Sequence, residues 1–503
     1  MSAVAPARAA AHPLRRAALG VLLPGFSGTT RPPGWVPRLL AQGLPGVCLY
    51  GENVVDDRAV RVLTDAIRDA DPEAIVAVDE EGGDVTRLYY DVGSPYPGNA
   101  LLGRVDDLAW TVRVAERVGR AVAAAGATLV LGPVADVNAN PDNPVIGVRS
   151  FGADPDLVAR HTAAWVRAVE ATGVASCTKH FPGHGDTATD SHLGLPVLDL
   201  DLPTLRERDL PPFAAAAAAG GRAVMTSHIL LPALDPDRPA THSPAILQGL
   251  LRRDLGYAGA IVSDALDMAG ASAGIGIPES AVRAIAAGCD LLSLGVGNTE
   301  EQVEEIVAAL QGAVASGRLP ADQLRDAATR AAALRGAPSR GLEQPRLLGA
   351  GDLPRALGGF AVGASARSWL ERHPGGPDHI VVLDSAANIA AGHVPWGIEA
   401  ALADPARHPA PPPPAVVHHV GPDDAMPDGL AGPVVVVGKD LHRHGFAVRA
   451  VESLRARGRA GSVLTVEMGW PDPRRGLADL CTYGASRLCG AALLALLSGD
   501  ADR

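Results

Sequence analysis

Residues 173–192 read GVASCTKHFPGHGDTATDSH, an apolar run followed at once by a polar segment that contains glycine. The apolar run, residues 173–177, predicts a buried strand. The polar segment from Lys179 to His192 holds three histidines, one lysine and two carboxylates. Its Pro-Gly pair and its second glycine favour an irregular loop. Polar groups at the end of a buried strand are the usual layout of an α/β active site, so this segment predicts where the chemistry lies.

A repeating strand-and-helix pattern surrounds this segment, from Leu19 to about Gly336. Its apolar runs are nearly continuous rather than alternating, which is typical of parallel strands covered on both faces. The predicted strands are Leu19–Leu23, Gly46–Tyr50, Ala74–Val78, Thr128–Leu131, Ala175–Thr178, Ala223–Thr226, Ala260–Val262 and Asp290–Leu294. Eight such units predict an α/β fold of the (β/α)8 TIM-type barrel class. The count of eight disfavours the alternative, a doubly wound open sheet.

A second α/β pattern follows the barrel. We predict a catalytic barrel over residues 1–340, a linker rich in proline, glycine and arginine over 341–359, and a smaller α/β sandwich domain over 360–503. The strands predicted in this last domain are Ile380–Leu383, Val416–Val420, Val434–Val437 and Ser462–Val466. No cluster of reactive residues stands out there. Surface or loop positions are therefore expected for its histidines, among them His418, His419, His442 and His444.

Composition disfavours several classes of protein. The net charge of −12 provides no basic surface for a nucleic acid. Metal fingers and a disulfide framework are not indicated by five widely spaced cysteines, Cys48, Cys177, Cys289, Cys481 and Cys489. Residues 17–24 are interpreted as the first strand rather than as the core of a signal peptide. No segment reaches the ~20 apolar residues of a membrane span, and we expect a cytoplasmic protein without membrane or nucleic-acid partners.

Polar side chains follow five of the predicted barrel strands. In chain order they are Asp79, Arg149, Lys179 with His180, His228 and Asp264. Because the strands of a barrel end at one face, these side chains are expected to converge. An ionised carboxylate at a strand tip, such as Asp264, needs partners or a chemical role. It fits a nucleophile or an electrostatic stabiliser of a cationic centre, although it could instead cap the following helix, as Asp267 could.

Asp190 and His192 are separated by a single residue of the loop. A carboxylate beside an imidazole orients the ring and raises its basicity, and the ordinary histidine pKa of ~6.5 suits proton transfer. The alternative is a loop held by Asx-type turns. A metal site is a further alternative, but Lys179 places a competing cation beside it. The histidine pairs typical of metal-dependent barrel hydrolases are missing too, so we expect neither a metal nor a cofactor.

Four blocks of the sequence together resemble the family-three glycoside hydrolases, specifically their bacterial β-N-acetylglucosaminidase (β-N-acetylhexosaminidase) branch. The blocks are Val78–Gly83, Asn143–Gly152, Lys179–His192 and Ser263–Met268. Their order matches the family, and the resemblance extends over the first domain. The second-domain segment Val463–Pro471 resembles two-domain actinobacterial members.

The resemblance implies a retaining double displacement, with Asp264 as the nucleophile. It implies that His192, held by Asp190, is the acid/base, where most glycosidases use a second carboxylate. The sugar-binding residues that it implies are Asp79, Arg149, Lys179 and His180, with His228 as a further pocket residue. Two positions depart from the family pattern, since Glu80 stands where glutamine is common and Asp84 where a basic residue is frequent. The second domain is expected to serve packing or substrate access rather than to supply the acid/base.

The leading hypothesis is an exo-acting β-N-acetylglucosaminidase that acts on peptidoglycan (muropeptide) fragments in cell-wall recycling. A β-glucosidase or β-xylosidase is an alternative on the same fold, although such relatives lack the Asp-Ser-His segment at residues 190–192. Phosphorolysis is another, because a histidine acid/base adds no second negative charge against an incoming phosphate. A catalytically inactive sugar-binding protein and a metal-dependent hydrolase are the alternatives from other classes.

Overall fold

The computed structural model describes residues 13–190, 194–338, 351–385, 390–403, 415–456 and 461–499. Its first part contains a barrel of parallel strands and one small hairpin. The strands are β1 (Leu22–Leu23), β2 (Gly46–Leu49), β3 (Ile75–Val78), β4 (Leu129–Val130), β5 (Ala175–Phe181), β6 (Ala223–Thr226), β7 (Leu230–Leu231), β8 (Asp235–Pro239), β9 (Ala260–Ser263) and β10 (Leu291–Ser293). The hairpin is formed by β7 and β8, which pair in antiparallel register.

The remaining eight strands lie in the order β1-β10-β9-β6-β5-β4-β3-β2, and every neighbouring pair is parallel. The amide of Cys48 in β2 donates to the carbonyl of Pro24, directly after β1, at 2.9 Å. This bond brings the two ends of the sheet together into a nearly closed barrel. The predicted barrel is confirmed, with one change at its start, because Leu19 ends a helix and the first strand begins only at Leu22.

Helices cover the outside of the barrel. They are α1 (Pro13–Leu19), α2 (Trp35–Leu40), α3 (Asp57–Ala70), α4 (Asn99–Val105), α5 (Leu108–Ala124), α6 (Pro155–Glu170), α7 (Leu202–Thr204), α8 (Pro211–Ala218), α9 (Ala269–Ser272), α10 (Ile277–Ala287), α11 (Glu300–Ala315) and α12 (Ala321–Ala332). Aspartates start several of them, as Asp154 does for α6 by accepting a hydrogen bond from the amide of Leu157. Two π-helical segments, Leu205–Asp209 and Ala245–Asp254, complete this layer.

Alternation along each strand divides the core of the barrel into two layers. In β3, Ile75 and Ala77 belong to the cluster inside the barrel, whereas Val76 and Val78 belong to the cluster beneath the helices. Successive side chains of a strand point to opposite faces, so a continuously apolar strand fills both layers. This explains why the barrel strands lack an alternating polar pattern.

A second sheet follows in the chain, with strands β11 (Ala361–Val362), β12 (His379–Leu383), β13 (Val416–Val420), β14 (Val434–Gly438), β15 (Val463–Glu467) and β16 (Leu480–Cys481). Their order is β11-β16-β15-β14-β12-β13, and only the β11–β16 pair is antiparallel. The accompanying helices are α13 (Asp352–Gly359), α14 (Ala364–Arg372), α15 (Gly397–Leu402), α16 (Gly445–Leu454) and α17 (Arg487–Leu497). The predicted second α/β domain is confirmed, and all four of its predicted strands are present.

Helix α13 occupies the end of the segment predicted as a linker. Its first residue, Asp352, binds the barrel, because Oδ1 accepts a hydrogen bond from the indole of Trp110 at 3.0 Å and Oδ2 pairs with Arg117. The exact boundaries of the two domains stay a prediction. None of the helices in the described residues is long and apolar enough to cross a membrane.

Candidate active site

A cavity of about 230 Å³ opens where the barrel strands end; we call it the barrel cavity. Among the side chains that line it are five of the predicted site residues, Asp79, Arg149, Lys179, His180 and Asp264. They come from four different strand ends, as the convergence argument requires. The structure therefore brings together residues that lie up to 185 positions apart in the chain, from Asp79 to Asp264.

Buried ion pairs form one wall of the barrel cavity. The Nζ atom of Lys179 lies 2.6 Å from Oδ1 of Asp79 and 2.7 Å from Oε1 of Glu81. Arg149 binds both oxygens of Glu81, with Nη2 at 2.8 Å and Nε at 3.0 Å. Burial by itself raises the pKa of Glu81, but the charges of Arg149 and Lys179 overcome it and hold that pKa well below its usual range. Glu81 is therefore held ionised between two cations, and the ion pairs fix the positions of these side chains.

His180, near the end of β5, and His184, in the loop after it, are held by one buried aspartate, Asp136. Its Oδ2 lies 2.7 Å from Nδ1 of His180, and its Oδ1 accepts a hydrogen bond from the amide of His184 at 2.7 Å. This leaves Nε2 of His180 on the cavity side, 3.4 Å from Nη2 of Arg149. Burial lowers the pKa of His184 to about 4, and its Nδ1 lies 2.6 Å from the hydroxyl of Thr187. His184 is thus a neutral wall residue.

Asp264 follows β9 directly and lines the barrel cavity with a partly exposed side chain. Its Oδ1 accepts a hydrogen bond from the amide of Ala265 at 2.8 Å. His228 supports this turn from behind, because its Nε2 lies 3.0 Å from the carbonyl oxygen of Ala265 and its Nδ1 lies 2.9 Å from the hydroxyl of Thr241. His228 is fully buried and is not among the residues that line the cavity, so the structure gives it a positioning contact rather than a place in the pocket.

A second cavity of about 420 Å³ adjoins the first; we call it the interdomain cavity. The two share Val85, Val145 and Arg149 as wall residues. Asp190 lines the interdomain cavity, and Lys439 and other residues of the second domain form its opposite side. His192 lies outside the described residues, so the Asp190–His192 pair stays a prediction.

The second domain also reaches the barrel cavity itself. Nη2 of Arg87 donates to the carbonyl of Ala390 at 2.7 Å, and Nη1 donates to the carbonyl of Ala391 at 3.2 Å. Ala390 is one of the residues that line the barrel cavity. Arg87 therefore fixes a segment of the second domain as a wall of the candidate active site.

The two departures from the family pattern have structural partners. Oε2 of the buried Glu80 accepts hydrogen bonds from the hydroxyl of Thr86 at 2.7 Å and from the amides of Arg87 and Leu88 at 3.1 and 3.0 Å. Burial raises the pKa of Glu80 to about 7. Asp84 accepts a hydrogen bond from the amide of Ala485 in the second domain at 2.9 Å. Both residues act on the scaffold rather than on a ligand in the barrel cavity.

Among the described residues, one cluster has the spacing of metal ligands, namely Asp384, Glu399 and His419 in the second domain. Nδ1 of His419 lies 2.8 Å from Asp384, and Nε2 lies 3.0 Å from Glu399. The hydrogen bond to Asp384 raises the pKa of His419. This cluster is best described as an ion-paired histidine, and none of its residues lines the barrel cavity.

A nearly closed parallel barrel with a strand-tip carboxylate beside fixed, buried ion pairs has the construction of a barrel enzyme for a small polar substrate. The sequence matches the family described as "Glycosyl hydrolase family 3 N terminal domain" over residues 36–334. The chain therefore belongs to glycosyl hydrolase family 3. The predicted family and the predicted class of enzyme, a glycoside hydrolase, are confirmed.

Relatives cover the chain to different extents. Beta-hexosaminidase A of Pseudoalteromonas piscicida is 36% identical over 333 residues, which are 61% of this chain and 56% of that protein. The chain thus spans little more than half the length of that relative. A Beta-hexosaminidase of Stenotrophomonas maltophilia (strain K279a) is 35% identical over 302 residues, 58% of this chain and 87% of that protein. A glycoside hydrolase family 3 beta-N-acetylglucosaminidase from Paenibacillus sp. str. FPU-7 has a similar structure, with a TM-score of 0.82, 27% identity and 97% of both chains covered.

Proposed function

We propose that the protein is a retaining exo-β-N-acetylglucosaminidase that hydrolyses terminal β-linked N-acetylglucosamine. The observation that carries the proposal is the position of Asp264, at a strand tip of a cavity whose opposite groups are fixed by ion pairs. The β-hexosaminidases and the β-N-acetylglucosaminidase named above support the choice of sugar. The small volume of the barrel cavity, about 230 Å³, supports action on a terminal sugar rather than in the middle of a chain.

The ion pairs fit the recognition of sugar hydroxyls. Oδ1 of Asp79 is bound to Lys179, and the partly exposed carboxylate is an acceptor suited to a pair of hydroxyls. Arg149 and Lys179 are cationic donors, and hydrogen bonds that involve a charged group are roughly twice as strong as neutral ones. The ring of His180 is fixed by Asp136, so its Nε2 adds a third directed group. We assign Asp79, Arg149, Lys179 and His180 to the binding of the terminal sugar.

The proposed reaction has two steps. In the first, a carboxylate oxygen of Asp264 attacks the anomeric carbon and the bond to the leaving oxygen breaks, while His192 gives its proton to that oxygen. In the second, His192 takes a proton from water, and the water oxygen displaces Asp264 from the anomeric carbon. Asp190 orients His192 and stabilises its protonated form. Glu81 is held ionised by Arg149 and Lys179, and it is therefore unsuited to be the acid.

The leaving group is proposed to extend into the interdomain cavity. Asp190 lines that cavity, and the proton donor must stand on the side of the leaving oxygen. The interdomain cavity, with a volume of about 420 Å³, has room for a substantial aglycone. Peptidoglycan fragments are the proposed source of such substrates, and cell-wall recycling in the cytoplasm is the proposed setting. Membership of the two-domain actinobacterial type stays a prediction.

The test is the release of nitrophenol from aryl N-acetyl-β-glucosaminide and aryl β-glucoside, measured side by side with and without phosphate. We expect a clear preference for the acetamido sugar and no dependence on phosphate. Asp264→Asn, prepared in parallel, serves as the control that the signal comes from this site. A preference for the glucoside would contradict the proposal. A sugar 1-phosphate product would show that the enzyme is a phosphorylase and not a hydrolase. No turnover of either substrate would favour a sugar-binding protein.

A further inference from the structure

A third cavity, of about 840 Å³, lies between helix α4 of the barrel and the ends of β15 and β16 in the second sheet. We call it the domain-edge groove. It shares no lining residue with the barrel cavity or the interdomain cavity. The walls of the groove and the interdomain cavity are adjacent at one point, since Gly469 lines the interdomain cavity and the next residue, Trp470, lines the groove. The mechanism proposed above makes no use of the groove.

Aromatic rings form one side of the domain-edge groove. Trp470 and Tyr483 meet edge to face, with their ring centroids 6.3 Å apart, and Phe360 lines the same groove. The guanidinium of Arg104 stands 5.4 Å from the centroid of the Tyr483 ring. Flat aromatic walls offer dispersion contacts to another flat, weakly polar surface, such as the C–H face of a sugar ring.

The acidic and basic side chains of the groove differ in whether they already have hydrogen-bond partners. Its acidic groups already have donors, because Asp479 binds Arg455 at 3.0 Å and Asp472 binds Arg474 at 2.8 Å. By contrast, the structure gives Arg104 no hydrogen bond and no carboxylate partner within the described residues. An exposed guanidinium in this position binds a carboxylate well, since its planar donors match both oxygens. The unused charge of the groove is therefore positive and favours an anion.

A buried histidine faces the same groove. His442 is 7% exposed and, within the described part of the chain, neither of its ring nitrogens has a hydrogen-bond partner. The nearest carboxylate oxygen, Oδ1 of Asp142, lies 3.5 Å from Nε2. Burial lowers the pKa of His442, so the ring is neutral at pH 7 and offers one donor and one acceptor. Both ring nitrogens are enclosed by protein atoms, so His442 supports the wall of the groove and its ring does not reach a ligand there.

We propose that the domain-edge groove is a second binding site, for a sugar that carries a carboxylate. The edge-to-face pair of Trp470 and Tyr483 contacts the sugar ring, and Arg104 binds the carboxylate. The proposal rests on the geometry of the groove and not on turnover in the barrel cavity. Combined with the proposed function, it gives the enzyme a contact with the acidic sugars of a glycan fragment, separate from the sugar that it cleaves.

Isothermal titration calorimetry with N-acetylmuramic acid tests the proposal, because this sugar is N-acetylglucosamine with an added carboxylate arm. The titration is made with N-acetylglucosamine at saturating concentration, so that the barrel cavity is filled. We expect binding of one equivalent, weakened at least about tenfold by Arg104→Gln, since a charge-assisted hydrogen bond is lost. Arg253→Gln is the matched control, because Arg253 is 77% exposed and lies away from the groove, and it should leave the affinity unchanged.

Three results would overturn the proposal. The first is the absence of binding by N-acetylmuramic acid, and the second is equal affinity in Arg104→Gln and the unaltered protein. The third is equal binding of D-lactate, which would reduce the groove to a simple anion site. Arg104 is exposed, so its replacement leaves the core intact, and circular dichroism of the variant checks this. Failure of the proposed catalytic function would show in the nitrophenol assay, whereas failure of the groove would show in the comparison of Arg104→Gln with the unaltered protein.

Discussion

Glu80→Gln should remove one defined part of the pH dependence of stability. Burial raises the pKa of Glu80 from an ordinary 4.5 to about 7. Folding therefore favours the protonated carboxyl, and its contribution to stability is complete below pH 4.5 and is lost as the pH rises through 7. The difference between the two pKa values, at about 1.36 kcal/mol for each pH unit, corresponds to roughly 3 kcal/mol. About 2.5 kcal/mol of this loss falls between pH 5 and pH 8.5.

The geometry explains why glutamine is a suitable replacement. Oε2 of Glu80 accepts three hydrogen bonds, and a glutamine carbonyl oxygen can accept the same three. Oε1 is buried without a hydrogen-bond partner among the described residues, and the amide nitrogen of glutamine would take its place. Burial of this amide nitrogen lowers the free energy of unfolding by the same amount at every pH. A comparison of two pH values therefore cancels it and leaves only the ionisation of Glu80.

The assay is urea denaturation of the unaltered protein and of Glu80→Gln at pH 5 and pH 8.5. We expect the unaltered protein to lose about 2.5 kcal/mol more than the variant between these two values. Other buried carboxyls, such as Glu467, whose pKa is raised by burial, keep their effect in both proteins. Glu301→Gln, on the surface of α11, is the control and should follow the unaltered protein. Equal pH dependence in all three proteins would refute the reasoning.

Three further substitutions test the site. Asp264→Asn should lower kcat on aryl N-acetyl-β-glucosaminide by about 10³-fold or more with an unchanged circular dichroism spectrum, because the nucleophile is lost; substantial residual turnover would contradict that role. His192→Ala should slow alkyl glycosides by about 10²-fold and nitrophenyl glycosides far less, because only a poor leaving group needs the proton; equal losses would exclude His192 as the acid. Lys179→Met should cost about 3–5 kcal/mol in urea denaturation, because it leaves Asp79 with only the more distant Arg87, at 3.9 Å, and Glu81 with only Arg149; a loss below about 1 kcal/mol would mean that the pairs contribute little.

The barrel was predictable from the sequence because its strands are short and continuously apolar. Each predicted barrel strand overlaps a strand of the structure, for example Ala223–Thr226, where the bounds coincide. The bounds failed where an apolar run continues a helix, as at Leu19, since an apolar residue does not by itself distinguish a buried strand from the buried face of a helix. The short strands Ala361–Val362 and Leu480–Cys481 were missed because two residues carry no periodicity.

The candidate site was predictable as a set of strand ends but not as a network of contacts. Glu81 was not assigned a role, although it lies two residues after Asp79 and pairs with two of the predicted cations. Asp136, which holds His180, was likewise not assigned. Sequence places such residues near a strand end, but the direction of a side chain depends on local backbone geometry after the strand. The excess of cations over carboxylates in the predicted binding set was the available signal, since buried cations require partners.

The contacts of the second domain give the departures from the family pattern a common explanation. Asp84 accepts a hydrogen bond from the amide of Ala485. A basic side chain at this position could not accept that bond, because it carries only donors. The guanidinium of Arg87, in the same short segment, donates hydrogen bonds to the carbonyls of Ala390 and Ala391. The segment between them is ordered by Glu80, which accepts the amide of Arg87. One stretch of the barrel therefore connects the predicted sugar-binding acid, Asp79, to the wall that the second domain supplies. Exchange of the second domain should consequently alter the barrel cavity itself, even though all the proposed catalytic residues belong to the barrel.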